Sequence, residues 1–372
     1  MKVVIVIPTY NEALNIGRLI DSLIEVFKRK PEVNFHILIV DANSPDGTAD
    51  VVKKKMNDYS FVHIYVEEKK TGLGAAYIAA FKYALQNLSP DVLVEMDADF
   101  QHNPDDLMKL VDEIQNGKDY IIGSRFTEGG SIPKDWALYR KLLSYGGNLF
   151  TKVVLGIYEV NDFTSGFKAS QVKNFVDKID LNSVQSEGFA YKIDLLFKMY
   201  KLGAKIKEVP ITFGLRDRGD SKMERNNFID SLRVVLSIRF NENSNFFKFV
   251  AVGFVGLFVD SGLFNILRLT PLGSSLATPI SGSIALMTTY ILNNYWSFSD
   301  RKIENPNEKL IGFMIYVISS IIPILVRTKL VFIAISTFGD TFVVSNTAFF
   351  IGIVFGLVWN FLIYSKIIWR KR

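Results

Sequence analysis

Four long apolar segments follow Asn245, at roughly 247–268, 275–294, 311–334 and 343–366, and they restrict the possible folds more than any other feature of the chain. About 20 helical residues, each rising 1.5 Å, span a hydrocarbon core of ~30 Å. A segment exposed to lipid must also satisfy its own backbone hydrogen bonds, which favours α-helices for runs of this length. Four transmembrane helices are therefore predicted. Residues 246–372 hold 11 Lys and Arg against 5 Asp and Glu, out of 43 and 38 in the whole chain, so the net charge of +5 lies in the last third. Basic residues flanking apolar runs point to a membrane surface and away from nucleic acid. Arg301, Lys302 and Lys309 share one connection, and Lys366, Arg370, Lys371 and Arg372 the tail, whereas 270–274 is uncharged and the last loop carries only Asp340. The positive-inside rule then predicts an integral membrane protein with its N-terminal domain on the cytoplasmic face. The opening MKVVIVIPTYNE has neither the apolar stretch nor the cleavage site of a signal peptide, in keeping with that orientation. Asp260 is expected to face the helix bundle and Arg268 to reach the far headgroups. Arg327 and Lys329 run against the charge bias, just after a kink expected at Pro323.

Before Asn245 the texture differs. Short apolar runs, VVIVIP, HILIVD, VHIYVE, VLVEMD and YIIGSR, alternate with helical patterns, which predicts βαβ units on a parallel sheet covered on both faces. In open sheets of this kind ligands bind beyond the carboxyl ends of the strands. Thr9-Tyr10, Asp41, Asp97 to Asp99 and Ser124-Arg125 would converge there, although each taken singly also suits a turn or a cap. Two further stretches are basic and amphipathic. In 134–155, Trp136, Tyr139, Leu143, Phe150 and Val154 recur at helical spacing beside Lys134, Arg140, Lys141 and Lys152. In 225–240, Phe228, Leu232, Val235 and Leu236 do so beside Arg225, Arg233 and Arg239. Such helices lie in the headgroup plane, the alternative being a surface helix packed on the domain core. The resulting division is an α/β domain over 1–223, an interfacial helix and linker over 224–245, and a membrane domain over 246–372.

With no cysteine and three scattered histidines, His36, His63 and His102, any metal must be held by oxygen. The run Met96-Asp97-Ala98-Asp99-Phe100-Gln101-His102 supplies such donors. If the strand stays extended, Asp97, Asp99 and Gln101 share one side, a set suited to Mg²⁺ or Mn²⁺ that would neutralise a pyrophosphate. An exposed acidic turn is the plainer alternative.

Ile7-Pro8-Thr9-Tyr10-Asn11-Glu12, Val40-Asp41 with Ser44-Pro45-Asp46-Gly47-Thr48, Gly72-Leu73-Gly74, Asp97-Ala98-Asp99 with Gln101-His102, and Gly123-Ser124-Arg125 together resemble the inverting glycosyltransferase family 2, whose fold is GT-A, a Rossmann-like α/β architecture. Tyr139-Arg140-Lys141 with Ser144, Thr164-Ser165-Gly166-Phe167, and the segment from Phe213 to Lys222 resemble its dolichyl-phosphate mannosyltransferase branch. The last third is similar to the all-α, four-helix GtrA-like transmembrane domain through Phe247-Lys248-Phe249-Val250, Gly253, Gly256, Asp260 and Asn294-Tyr295-Trp296-Ser297-Phe298.

The resemblance implies that Pro8, Tyr10, Glu12 and Val40 line the nucleotide site beside Asp41 and Ala42. Asp97, Ala98 and Asp99 would border the diphosphate, with Asp99 and Gln101 as metal ligands. Arg125, Arg140 and Ser144 would hold the lipid phosphate, and Arg216 and Lys222 would close over the sugar nucleotide. The implied reaction is transfer of mannose from GDP-mannose to dolichyl (polyprenyl) phosphate, with Asp99, Arg125 and Arg140 catalytic. Another hexose from a different nucleotide sugar is the nearest alternative, and a lipid-sugar flippase or scaffold is the alternative of another class. One departure stands out: the family has two consecutive Asp residues after the second strand, the second contacting the base, and this chain has Asp41-Ala42. Restoring that carboxylate by Ala42→Asp is expected to tighten GDP binding. A phosphate monoester, with a second pKa of about 6, is already largely dianionic at neutral pH, so its attack on a sugar needs no general base. The site must instead supply cations, as guanidinium forks and a divalent metal do.

Overall fold

The computed structural model describes residues 1–214, 226–267, 269–271, 273–339 and 341–370. Arg216, Lys222, Arg225, Arg268, Asp340, Lys371 and Arg372, and the side chain of Arg327, lie outside the described residues. The chain forms two compact units, Met1–Arg239 and Phe240–Arg372.

In the first unit the elements follow the order β1 (Lys2–Thr9), α1 (Ala13–Phe27), β2 (Asn34–Asp41), α2 (Thr48–Asp58), β3 (Val62–Val66), α3 (Leu73–Asn87), β4 (Val92–Glu95) and α4 (Leu107–Gln115). Then come β5 (Tyr120–Ser124), α5 (Leu138–Leu155), β6 (Lys168–Gln171), α6 (Tyr191–Lys201), β7 (Ile206–Pro210) and α7 (Asn226–Glu242). Among the described residues the strands form one seven-stranded sheet in the order β3-β2-β1-β4-β6-β5-β7. Alternation along β1 divides the core between the two faces: Val3, Ile5 and Ile7 join α1 and α4 on one side, and Val4 and Val6 join α3 and α6 on the other. Helix α1 follows the same logic at helical spacing, burying Ile16, Leu19, Ile20, Leu23 and Val26.

The all-parallel expectation needs correction, because β6 pairs antiparallel with both β4 and β5. Its four residues, Lys-Ala-Ser-Gln, carry no apolar run that would have announced a strand. Helix α7 turns Val234, Val235 and Ile238 into the core of the first unit, while Ile229 and Leu236 stay exposed.

The second unit contains α8 (Ser244–Leu267), α9 (Gly273–Leu292), α10 (Pro306–Phe338) and α11 (Phe342–Ile363). Among the described residues α8 is long and apolar enough by itself to cross a bilayer. Helix α10 continues through Pro323, against which Gly356 of α11 packs so closely that an added Cβ would lie 3.0 Å from the proline ring. The Ser281 hydroxyl of α9 donates to Asp260 of α8 at 2.6 Å, which satisfies a carboxylate in an apolar helix. Asn294 clamps one end of this unit, accepting from the Ile303 amide and the Trp369 indole, each at 2.8 Å.

Candidate active site

The carboxyl ends of β1, β2 and β4 deliver three of the strand-end motifs to one edge of the sheet. Pro8 pairs in register with Val40, and Thr9 with Asp41. Proline has no N–H to donate, and it sits where β4, which pairs only with Val3 to Val6, no longer asks for one. Asp41 has no exposed surface and accepts from the Thr9 hydroxyl at 2.8 Å, the Ser44 amide at 2.8 Å and the Ser44 hydroxyl at 2.6 Å. Its carboxylate organises the loop. Ala42 is buried beside it. The Glu12 carboxylate accepts from Asn15 Nδ2 at 2.9 Å, and the Lys70 ammonium stands 4.3 Å from the centroid of the Tyr10 ring.

The acidic run does not continue as a strand. Strand β4 ends at Glu95, and Phe100 turns to a left-handed φ of 62°, so alternation is not what brings the oxygens together. The turn is closed by side chains instead. The Asp97 amide donates to His102 Nδ1 at 3.1 Å, and the Gln101 amide donates to Asp99 Oδ1 at 3.1 Å. Since Nδ1 accepts, the His102 proton resides on Nε2, which lies 3.8 Å from Asp97 Oδ2. Burial lowers the pKa of His102, outweighing the attraction of Asp97, and keeps the ring neutral. Gln101 Nε2 donates to the Gly214 carbonyl at 3.2 Å, which commits its nitrogen and leaves the amide oxygen as its acceptor. Among the described residues no three His, Cys, Asp or Glu side chains gather into a closed metal cage. A Mg²⁺-type ion usually takes one or two carboxylates and completes its shell with water and phosphate oxygens. The hard oxygens of Asp99 and Gln101 on one turn, with Asp97 two residues away, fit such an ion.

Arg125 follows β5 and is held by Asp162. Its Nε donates to Asp162 Oδ2 at 2.8 Å, and its Nη2 to Asp162 Oδ1 at 2.7 Å and to the Thr164 hydroxyl at 2.8 Å. Despite the cost of burial, this carboxylate raises the pKa of the guanidinium. Glu208 on β7 supports the loop, accepting from the Asn161 amide at 3.0 Å and the Asp162 amide at 2.8 Å. Arg140 and Ser144 lie one turn apart on α5, on the side that continues into the buried Asn148 and Thr151. The Arg140 guanidinium stacks 3.9 Å from the Trp136 ring. The opposite stripe of α5, Leu138, Leu142, Tyr145, Leu149 and Val153, is exposed.

Beneath the acidic turn lie charges that no local pattern foretold. Glu95 pairs in register with Lys168, and both are fully buried, as is Lys192. The Tyr191 hydroxyl donates to Glu95 at 2.5 Å. Burial raises the carboxyl of Glu95 and lowers Lys168 to about 8. Gly166 packs closely here: an added Cβ would stand 2.5 Å from Lys192 Nζ and 3.0 Å from Asp97 Oδ2, so these side chains would have to shift. Asp162, Glu208 and Lys192 escaped the sequence reading because each is an isolated charged residue far along the chain from its neighbour in space. The Thr-Ser-Gly-Phe motif next to Asp162 was the one available signal.

A mixed sheet with acidic and basic strand ends gathered on one edge is a GT-A-like architecture, and the comparisons give its family. Residues 4–175 match glycosyl transferase family 2, and residues 248–369 match the GtrA/DPMS transmembrane domain. The chain belongs to glycosyl transferase family 2 and is a membrane protein. It is 39% identical over 227 residues to an undecaprenyl-phosphate mannosyltransferase of Micrococcus luteus, covering 60% of this chain and 88% of that one. It is 31% identical over 373 residues to a dolichol-phosphate mannosyltransferase of Pyrococcus furiosus, covering 99% of each. A polyprenol monophosphomannose synthase of Mycolicibacterium smegmatis is 38% identical over 232 residues, covering 62% of this chain and 84% of that one.

Proposed function

We propose that the protein transfers mannose from GDP-mannose to dolichyl phosphate or another polyprenyl phosphate, with inversion at the anomeric carbon, giving a β-linked mannosyl phosphate lipid and GDP. The observation that carries this reading is the 31% identity to the Pyrococcus enzyme over 99% of both chains, catalytic and membrane parts together.

Pro8, Tyr10, Glu12, Val40, Asp41 and Ala42 line the nucleoside end of the donor site in this reading, and Asp97 and Ala98 the diphosphate end. The dianionic acceptor phosphate attacks without a base, which suits a site whose histidine, His102, is buried and neutral. Arg140 and Ser144 on α5 receive that phosphate together with the Nη1 edge of Arg125, whose other nitrogens are engaged by Asp162 and Thr164. Asp99 and Gln101 hold a divalent metal, Mg²⁺ or Mn²⁺, and such an ion stabilises charge on the departing diphosphate. Arg216 and Lys222 join from outside the described residues. The exposed apolar stripe of α5, on the side of the helix away from Arg140 and Ser144, rests in the headgroup layer, keeping the site near the depth of a lipid phosphate. The catalytic unit faces the cytoplasm, four helices crossing the bilayer.

The test is a panel of nucleotide sugars with dolichyl phosphate in detergent, with Mg²⁺ or Mn²⁺. Mannosyl lipid formed from GDP-mannose is the expected result. Glycolipid from UDP-glucose with none from GDP-mannose would overturn the donor assignment.

A further inference from the structure

We propose that Glu67 reads the base of the donor nucleotide, its carboxylate accepting from the N1–H and 2-amino groups of guanine; this deepens the nucleotide-sugar reading above and rests on it. Glu67 directly follows the edge strand β3, and its amide donates to the Asp41 carbonyl at 2.8 Å. It therefore stands beside Asp41-Ala42, at the edge of the sheet where ligands of such folds bind. The residue is only 8% exposed. One carboxyl oxygen, Oε1, accepts from the Thr71 hydroxyl at 3.1 Å. The other, Oε2, is buried with no hydrogen-bond partner among the described residues. A buried carboxylate oxygen without a partner is costly in the free protein, and since Oε2 has no accessible surface where it stands, the side chain turns toward the strand ends for a ligand to donate to it.

The neighbouring acids are already committed. Asp41 is occupied by Thr9 and Ser44. Asp46 accepts from the Ala13 amide, the Thr48 amide and the Thr48 hydroxyl, and Glu12 accepts from Asn15. Ala42 offers a methyl group. The segment after Glu67 also meets the end of β1, since Lys70 stands over the Tyr10 ring. Burial raises the Glu67 carboxyl, Thr71 opposes this in part, and the Asp41 carboxylate adds to it. A paired donor edge relieves that strain on the ionised form. Guanine presents two adjacent N–H donors, whereas uracil presents one between two carbonyl oxygens that a carboxylate repels. The chemistry at this position therefore selects guanine.

Calorimetric titration of the full-length protein in detergent with Mg²⁺ and GDP, IDP or UDP tests the inference. IDP lacks only the 2-amino group. Wild type should bind GDP about tenfold more tightly than IDP, the usual effect of losing one hydrogen bond to a charged group. Glu67→Gln should weaken GDP at least tenfold, bring GDP and IDP close to parity and leave UDP unchanged. Unaltered GDP affinity in the variant, or a preserved preference for GDP over IDP, would sink the role of Glu67 while leaving the donor assignment standing. Wild-type preference for UDP over GDP would remove both. Should Glu67→Gln fail to fold, equal wild-type affinity for GDP and IDP overturns the inference without any variant, and a tenfold preference supports it.

Discussion

Arg125 and Asp162 meet as a two-pronged ion pair, at 2.8 and 2.7 Å, in which the carboxylate has no exposed surface at all. The fork fixes the plane of a guanidinium at the end of β5, so a phosphate bound there would meet a preset edge rather than a searching side chain. Removing one partner of a buried pair leaves the other charge uncompensated, at a cost of about 3–5 kcal/mol. Asp162→Ala should accordingly lower the melting temperature of the protein sharply. Arg125→Lys keeps the charge and loses the fork. It should reduce kcat/KM for the lipid acceptor about tenfold or more with little effect on GDP binding. A reversal of that pattern would assign Arg125 to the donor.

Asp99 is only 4% exposed and accepts from the Gln101 amide, so a truncation there would disturb the turn as well as any metal. Asp99→Asn retains an acceptor for that amide while removing the charge. Transfer should fall by about two to three decades, the scale of losing one charge-stabilising group, with an unchanged melting curve. EDTA should silence the wild type. Full turnover in EDTA would refute the metal.

His36 Nδ1 and His63 Nε2 lie 2.9 Å apart on adjacent strands, β2 and β3. Burial first, then the facing imidazole and Lys2, lower His36, and burial and Lys2 lower His63. The folded state thus binds fewer protons than the unfolded one, and stability rises with pH. Stability is complete above the ordinary histidine value of about 6.5 and is lost as the pH falls below it. Melting between pH 8 and pH 5 should show a steeper acid decline for wild type than for His63→Gln. Parallel curves would show that the pair does not govern it.

Val234, Val235 and Ile238 of α7 are 4%, 1% and 3% exposed within the first unit. Burying each is worth roughly 1.5–3 kcal/mol. A chain ending after Glu242 should fold and bind nucleotide, and one ending after Lys222 should be unstable or insoluble. Equal solubility and GDP binding of the two truncations would show that α7 is dispensable.

From sequence alone Ala42→Asp is expected to restore a base contact. The structure changes the sign, because Glu67 is bonded to the end of β2 there and Asp41 is already buried. A third carboxylate among these would repel the other two. GDP affinity, measured calorimetrically, should fall severalfold in the variant. Tighter binding would restore the base-reading role to position 42.

Local patterns carry far along this chain. The continuous apolar runs VVIVIP and HILIVD, the helical spacing of Ile16 to Val26 and the apolar length of 244–267 are each properties of one element, readable without neighbours. The strand-end positions of Tyr10, Asp41, Asp97 and Arg125 followed from those runs, since a strand's end is where its apolar run stops. Antiparallel β6 did not follow, because four residues with a polar majority become a strand only when β4 and β5 flank them on both sides. Nor did the partners of the charged groups. Arg125 is bound 37 residues away by Asp162, and Glu95 is covered from β6 and α6. The open oxygen of Glu67 exists only because Asp41 and Thr71 take their particular bonds around it. Hydrophobic periodicity is an average over a local window and survives in the sequence. Hydrogen bonds and buried ion pairs are formed between single atoms a few ångströms apart, and only the tertiary fold sets those distances.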